Sequence, residues 1–192
     1  LFIQKHYKML ESSIKQFKYY KQLAEKAIAQ VEISVLFDQL HEDDNSVAMI
    51  VQHLSGNMLS RWTNIFTEDG EKPWRNRDSE FEVNIQDIEQ LSEVWKKGWD
   101  QLFDTLDRLD ENDLQKTIYI RNEGMTVEDA IIRQLCHYSY HCGQIVYKCK
   151  QNNTNWQSLS VPKNGSVDYN FKKFDQIKAQ KHFLDSLLDD GS

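Results

Sequence analysis

The stretch Ile131–Lys148 reads IIRQLCHYSYHCGQIVYK and places His137 and His141 four residues apart. In an α-helix that step is a rotation of about 400°, so both imidazoles leave one face about one turn apart. Two ring nitrogens so placed can bind one divalent metal ion, as the histidines of H-E-x-x-H do. Ala130, Gln134, Gln144, Ile145 and Lys148 fall on or near the same stripe, and Thr126-Val-Glu-Asp129 reads as a capping-box-like helix start. Two readings stand at this point: half of a metal site, or two ordinary helix-face residues. The glutamate of H-E-x-x-H is absent, which excludes a zinc protease, and a catalytic metal needs a third ligand from elsewhere.

The rest of the chain reads as one helical domain over residues 1–192, long enough for a sizeable core. Two prolines and seven glycines, with abundant Gln, Lys, Glu and Leu, favour helix over strands and turns. Upstream, Ile3, Tyr7, Leu10, Ile14, Phe17, Leu23, Ala27 and Val31 repeat at helical spacing, and His6 beside them reads as a surface or satisfied histidine. Glu32 to Asn45 is a connector whose His41, among acids, is expected to be solvated.

Asp43-Asp-Asn-Ser46 offers N-caps for a second helix over about residues 47–66. Its inner stripe holds Ile50, His53, Leu54, Asn57, Met58, Arg61 and Ile65. A lone histidine there is by default a core residue bonded to a neighbour. Asn57 and Arg61 on the same face, one and two turns on, point instead to a lined cavity. A turn-rich loop follows, punctuated by Asp69-Gly70 and Pro73. A third helix begins near Asn84-Ile-Gln-Asp87, marked by Ile88, Leu91, Trp95, Trp99, Leu102, Leu106 and Leu109. Trp95 and Trp99 read as core or interface mass, and an apolar patch of that kind would favour a homodimer. Leu114 to Arg121 alternates apolar and polar residues, a short extended segment before the histidine helix. Trp156 to Gly165 reads as a loop over the body, and Phe171 to Leu188 as a last helix.

Four long amphipathic helices joined by moderate connectors make an all-α four-helix bundle, in which sites are built from inward side chains on facing helices. His53 and the His137/His141 pair could then converge. Three neutral imidazoles hold a divalent ion and leave a position open for water or substrate. Zinc, nickel, iron and manganese all remain open, as do copper and cobalt.

Charge and cysteines bound the partners. A net charge of −7 without a basic stripe argues against nucleic acid. Cys136, Cys142 and Cys149 make no C-x-x-C pair, which excludes a zinc finger or thioredoxin motif. They lie off the histidine face or too far along it to ligate, and read as small buried thiols of a reduced, cytoplasmic protein. No signal peptide, lipidation motif or membrane-spanning apolar run is visible.

Four segments carry a resemblance: HLSGNMLSRW (residues 53–62), DGEKPWRNRDSEFE (69–82), HYSYHCGQIVY (137–147) and WQSLSVPKNGS (156–166). Together they resemble the DinB/YfiT-like superfamily of metal-dependent proteins, in a branch of unknown function marked by the PWRNRD segment. The resemblance implies an up-down-down-up four-helix bundle, frequently dimeric, whose metal ligands are His53, His137 and His141. Some superfamily members are transferases or isomerases that use a low-molecular-weight thiol, so a small-molecule substrate and a thiol co-substrate are expectations here. A metal-dependent hydrolase and a non-catalytic, stress-related metal-binding protein are the alternatives. Asn57, Arg61 and Gln144 are the expected substrate-binding residues, with an arginine suited to an anionic group such as a carboxylate. The competing reading of Arg61 is a surface residue whose stem covers Trp62 or Ile65.

Overall fold

The computed structural model describes residues 8–82, 84–179 and 181–188, and is mainly α-helical with one small two-stranded antiparallel sheet. His6 lies outside the described residues, and His41 is exposed. Four long helices carry the core: α1 (Met9–Ile28), α2 (Val47–Trp62), α3 (Ile88–Leu106) and α4 (Val127–Gln151). The starts of three of them are written in the sequence. Ser46 Oγ accepts the Met49 amide, Asp87 the Gln90 amide and Thr126 Oγ1 the Asp129 amide, each satisfying a donor the helix leaves open. In α4, Glu128 and Asp129 sit in the first turn and Lys148 and Lys150 in the last, which complements the helix dipole.

α2 is the central element. Its apolar face is buried through Val47, Ile50, Val51, Leu54 and Met58, and Ala48 and Met49 are buried away from that face. It packs along α3 on one side and meets α4 on another, while α1 packs along α4. The α2–α3 approach is close at Gly98, where a Cβ would stand 2.7 Å from Ser55 Cα. Trp62 Nε1 donates to the buried Tyr138 hydroxyl at 3.0 Å and so ties α2 to α4.

Several expected boundaries move. α2 ends at Trp62 rather than near Phe66, because Thr63 is extended and Asn64 adopts a positive φ of 50°. The extended segment before α4 is a hairpin, β1 (Thr117–Ile120) with β2 (Glu123–Thr126), turning through Arg121 and Asn122 at φ 56° and 60°. Two successive left-handed residues are the geometry of a two-residue hairpin turn. The last helix is two short pieces, α5 (Ser166–Phe174) and α6 (Asp185–Leu188). α5 buries none of its residues, and without packing little sustains a longer helix.

Trp95 and Trp99 are core residues at 7% and 0% exposure, so the tryptophan patch that favoured a dimer does not exist. Of the three cysteines, Cys142 and Cys149 are buried as expected, but Cys136 is exposed. No helix among the described residues is long and apolar enough to cross a membrane.

Gly98→Ala tests the close approach. Helix propensity alone favours alanine by about 0.8–1.0 kcal/mol, whereas overpacking typically costs about 1–3 kcal/mol. The variant should unfold at lower urea than wild type; a raised midpoint would mean that α2 and α3 part freely.

Candidate metal centre

His53 comes from the middle of α2, and His137 and His141 from successive turns of α4. Their Nε2 atoms converge: His137 Nε2 lies 3.1 Å from His141 Nε2 and 3.4 Å from His53 Nε2. One ligand atom from each of the three residues fits within 4.8 Å of the others, close enough to hold a metal ion. Metal–nitrogen bonds of about 2.0–2.1 Å at tetrahedral angles put ligand nitrogens about 3.3 Å apart, which the two Nε2 distances bracket.

The outer nitrogens decide which way the lone pairs face. His53 Nδ1 lies 2.9 Å from Glu80 Oε2, and His141 Nδ1 lies 2.7 Å from Gln144 Oε1. Gln144 Nε2 donates to the Tyr140 hydroxyl, which leaves its oxygen for the histidine. With Nδ1–H donating outward, each of these rings, when it carries no second proton, turns its Nε2 lone pair to the shared centre. This is the carboxylate- or carbonyl-to-histidine support usual behind metal ligands. Burial first, then the charges of His141 and His53, push the His137 imidazole down to about 3. Burial, with His53 beside it, also lowers His141. Neutral imidazoles are the form that ligates.

Glu80 is the residue that sequence reasoning missed. It sits in the 3-10 turn Asp78–Phe81, inside the loop between α2 and α3, and its side chain is 7% exposed. Burial alone would raise its carboxyl. Hydrogen bonds from His53 and from the Arg75 fork, at 2.7 and 2.9 Å, more than offset that and hold it below the ordinary carboxylate range. Its approach to α2 depends on Gly56, where a Cβ would stand 2.2 Å from Glu80 Oε1. Phe81 closes the same side, its ring centroid 5.0 Å from that of His53. Spacing offers little signal for Glu80, 27 residues from His53. The alternation of arginines and acids in RNRDSEFE is the trace it leaves.

A cavity of about 240 Å³ opens on His53 and His137, with Asn57, Arg61 and Gln134 in its wall. Asn57 Oδ1 accepts from the Tyr138 hydroxyl, itself the acceptor for Trp62 Nε1, so the Asn57 amide nitrogen is left for the cavity. Arg61 is buried, which removes the surface reading. Its Nη1 donates to the Gly70 carbonyl and its Nη2 to Glu71 at 2.9 Å, so its hydrogen-bonding capacity is largely spent on the loop. Gln144 is not in the cavity wall; it stands behind His141. None of the three cysteines belongs to the converging set.

The depressed His137 gives a signed pH dependence for the metal-free protein. Above about pH 6.5 the ring is neutral whether folded or not. As pH falls below that, the unfolded chain takes a proton that the folded chain refuses until about 3, so stability is lost over that window. Between about pH 7 and about pH 5, above most carboxylate titration, the melting temperature of chelator-treated protein should fall. His137→Gln should fall less steeply; equal slopes for the two proteins would reject a buried neutral His137.

Comparison with known proteins gives no match among curated proteins and none among solved structures. Residues 4–165, most of the chain and all three histidines, match a family described as a protein of unknown function, DUF1572. The chain belongs to that family.

Proposed function

We propose that this chain binds one divalent metal ion through His53, His137 and His141 in an up-down-down-up four-helix bundle of DinB/YfiT type. In this reading it transfers a low-molecular-weight thiol to an electrophilic small molecule. The observation that carries the metal is the convergence of three Nε2 atoms at 3.1 and 3.4 Å, with two rings oriented from behind by Glu80 and Gln144. The order of contacts supports the topology. Phe17 faces Tyr138 and Gln30 receives Asn153, so α1 and α4 run the same way. Ser55 abuts Gly98 and the Trp62 carbonyl receives Thr105, so α2 and α3 run together. Asp44 pairs with Lys148 while Trp62 meets Tyr138, so α2 opposes α4.

A divalent ion supplies a Lewis acid that lowers the pKa of a thiol or a water. The chain's own sulfur is a poor nucleophile. Burial pushes the Cys142 thiol up to about 12 and the Cys149 thiol up to about 11, and Cys136 is not in the cavity wall. The reacting sulfur therefore comes from a second small molecule. Cationic side chains around the cavity favour its thiolate form. The thiol proton passes to solvent, the sulfur forms a bond to the electrophilic carbon, and the leaving group departs with the electron pair of the broken bond. Hydrolysis is the weaker reading, because the carboxylates near the cavity among the described residues are committed, Glu71 and Glu80 to arginines and Asp69 to backbone amides, which disfavours each as a general base. A reduced, cytoplasmic setting suits three cysteines that remain free thiols. A homodimer rests on the DinB/YfiT resemblance, and a monomer by light scattering at micromolar concentration would remove it.

Elemental analysis of protein purified without an affinity tag should find one equivalent of a divalent metal, and His137→Ala should have none. Full occupancy in His53→Ala would break the triad. Glu80→Gln should keep the fold but bind metal about 10–100-fold more weakly, the usual cost of losing a ligand's outer partner. With the metal in place, a panel of small thiols and electrophiles should yield a conjugate that chelation abolishes; metal-loaded protein that conjugates none of them rejects the transferase.

A further inference from the structure

The cavity beside the histidines is lined by five arginines, Arg61, Arg75, Arg77, Arg121 and Arg133, in a chain whose net charge is −7. The carboxylates that pair with them are two. Glu71 meets Arg61 at 2.9 Å, Arg121 at 3.0 Å and Arg75 at 3.6 Å, and Glu80 takes the Arg75 fork. Asp69, whose carboxylate also acts on Arg61, offsets part of the remainder, and positive charge is still left in surplus at one small opening. Arg77 and Arg133 carry most of that surplus, since neither has a carboxylate within ion-pair distance among the described residues. Arg77 Cζ stands over the Phe81 ring, 5.5 Å from its centroid, a contact that uses none of the guanidinium's hydrogen bonds. Arg133 lies one turn before His137 on α4.

Two more features point to a ligand. Asn57 offers its amide nitrogen to the same space, oriented from behind by Tyr138. Arg61 Nε, a donor in the same wall, is a buried side-chain polar atom without a hydrogen-bond partner among the described residues. Buried polar atoms left unpaired are costly and mark places built around something else. At about 240 Å³ the cavity falls below the roughly 300 Å³ of a drug-sized site, so it suits a small molecule or the anionic end of a larger one.

We propose that this cavity binds an oxyanion, a carboxylate or a phosphate on the substrate, through the uncommitted guanidinium groups of Arg77 and Arg133 with Asn57 as a third donor. The placement of the anion beside a metal rests on the function proposed above; the anion site itself does not. Both guanidinium forks match carboxylate and phosphate oxygens in pairs, and a cleft of one sign concentrates ligands of the other. The substrate is accordingly anionic, and neutral analogues of the same shape bind poorly.

The test titrates inorganic phosphate and succinate, separately, into metal-free and zinc-loaded protein by calorimetry at low salt. Wild type should bind at least one of them at millimolar concentration or below in both forms, and the one preferred identifies the group. Arg133→Met, a change at an exposed residue without an ion pair, should weaken that binding about tenfold or more, the scale of a lost charge-assisted hydrogen bond. Adding Arg77→Met should abolish it, with zinc content by elemental analysis unchanged. No binding of either anion to wild type overturns the proposal, as does equal binding to both variants. An anion that binds only the zinc-loaded form, and equally well in the variants, is a metal ligand and overturns it too. Failure to load zinc counts against zinc at the histidines alone, because the metal-free titration still reports on the arginines.

Discussion

The hydrogen bond between Glu80 and His53 is the constraint on which the site depends. A carboxylate with 7% of its side chain exposed is costly unless it is paired and hydrogen-bonded, and here it is both, to the Arg75 fork and to the imidazole. The bond does three things at once. It orients the His53 ring, it makes that imidazole more basic, and it fixes the α2–α3 loop against α2. A side chain at residue 56 would displace the carboxylate from this position, since Glu80 Oε1 occupies the space a Cβ would take. A glycine in the middle of a helix weakens it by about 1 kcal/mol, and in α2 that weakness is the condition for the carboxylate's approach.

A second tie, between the same loop and the hairpin, forms the other wall of the cavity. Asp69 accepts the amides of Arg121 and Asn122 at 2.8 Å each and that of Glu71 at 2.7 Å, so one carboxylate closes the hairpin turn onto the loop. Ser60 and Arg61, at the end of α2, both donate to the Gly70 carbonyl. Burial alone would raise the Asp69 carboxyl, but three amide donors lower it. Local backbone bonds thus hold Arg121 and Arg61 on opposite elements of one cavity. The arginines are placed by the loop's own hydrogen bonding rather than by the hydrophobic core.

Much of this was legible in the sequence, for physical reasons that also mark where legibility stops. The i, i+4 histidines and the His53 stripe follow from helix periodicity, which is local and strong; capping residues located the starts of α2 and α4, and for α3 a four-residue run whose last member, Asp87, is the cap. The hairpin's second strand was hidden because its turn is Arg121-Asn122, with no glycine to advertise two left-handed residues. Gln144 was read correctly as sharing the His141 face, yet at i+3 its amide reaches back to Nδ1 rather than out to the cavity. Arg61 looked like a ligand-binding arginine or a surface one, and its place behind the loop could not follow from helix position alone. Glu80 and Arg77 come from irregular backbone, where periodicity carries no information and only tertiary contact decides direction.

The charges around the histidines pull in two directions. Arg61 and Arg75 lie close enough to add to the lowering of His137, behind burial and the other two histidines, which keeps the ring unprotonated and free to ligate. The same positive charges oppose a divalent cation, and Glu71 and Glu80 cancel only part of them. Under the proposed occupancy, metal and arginines together would leave an excess of like charge in about 240 Å³, which a low-dielectric pocket tolerates poorly. An oxyanion relieves both at once. The metal then raises the affinity for the anion and, by linkage, the anion raises the affinity for the metal by the same factor. A site of this composition would be at its most stable with both bound, and the arginines that shape the opening would then couple the charge of a ligand to metal occupancy.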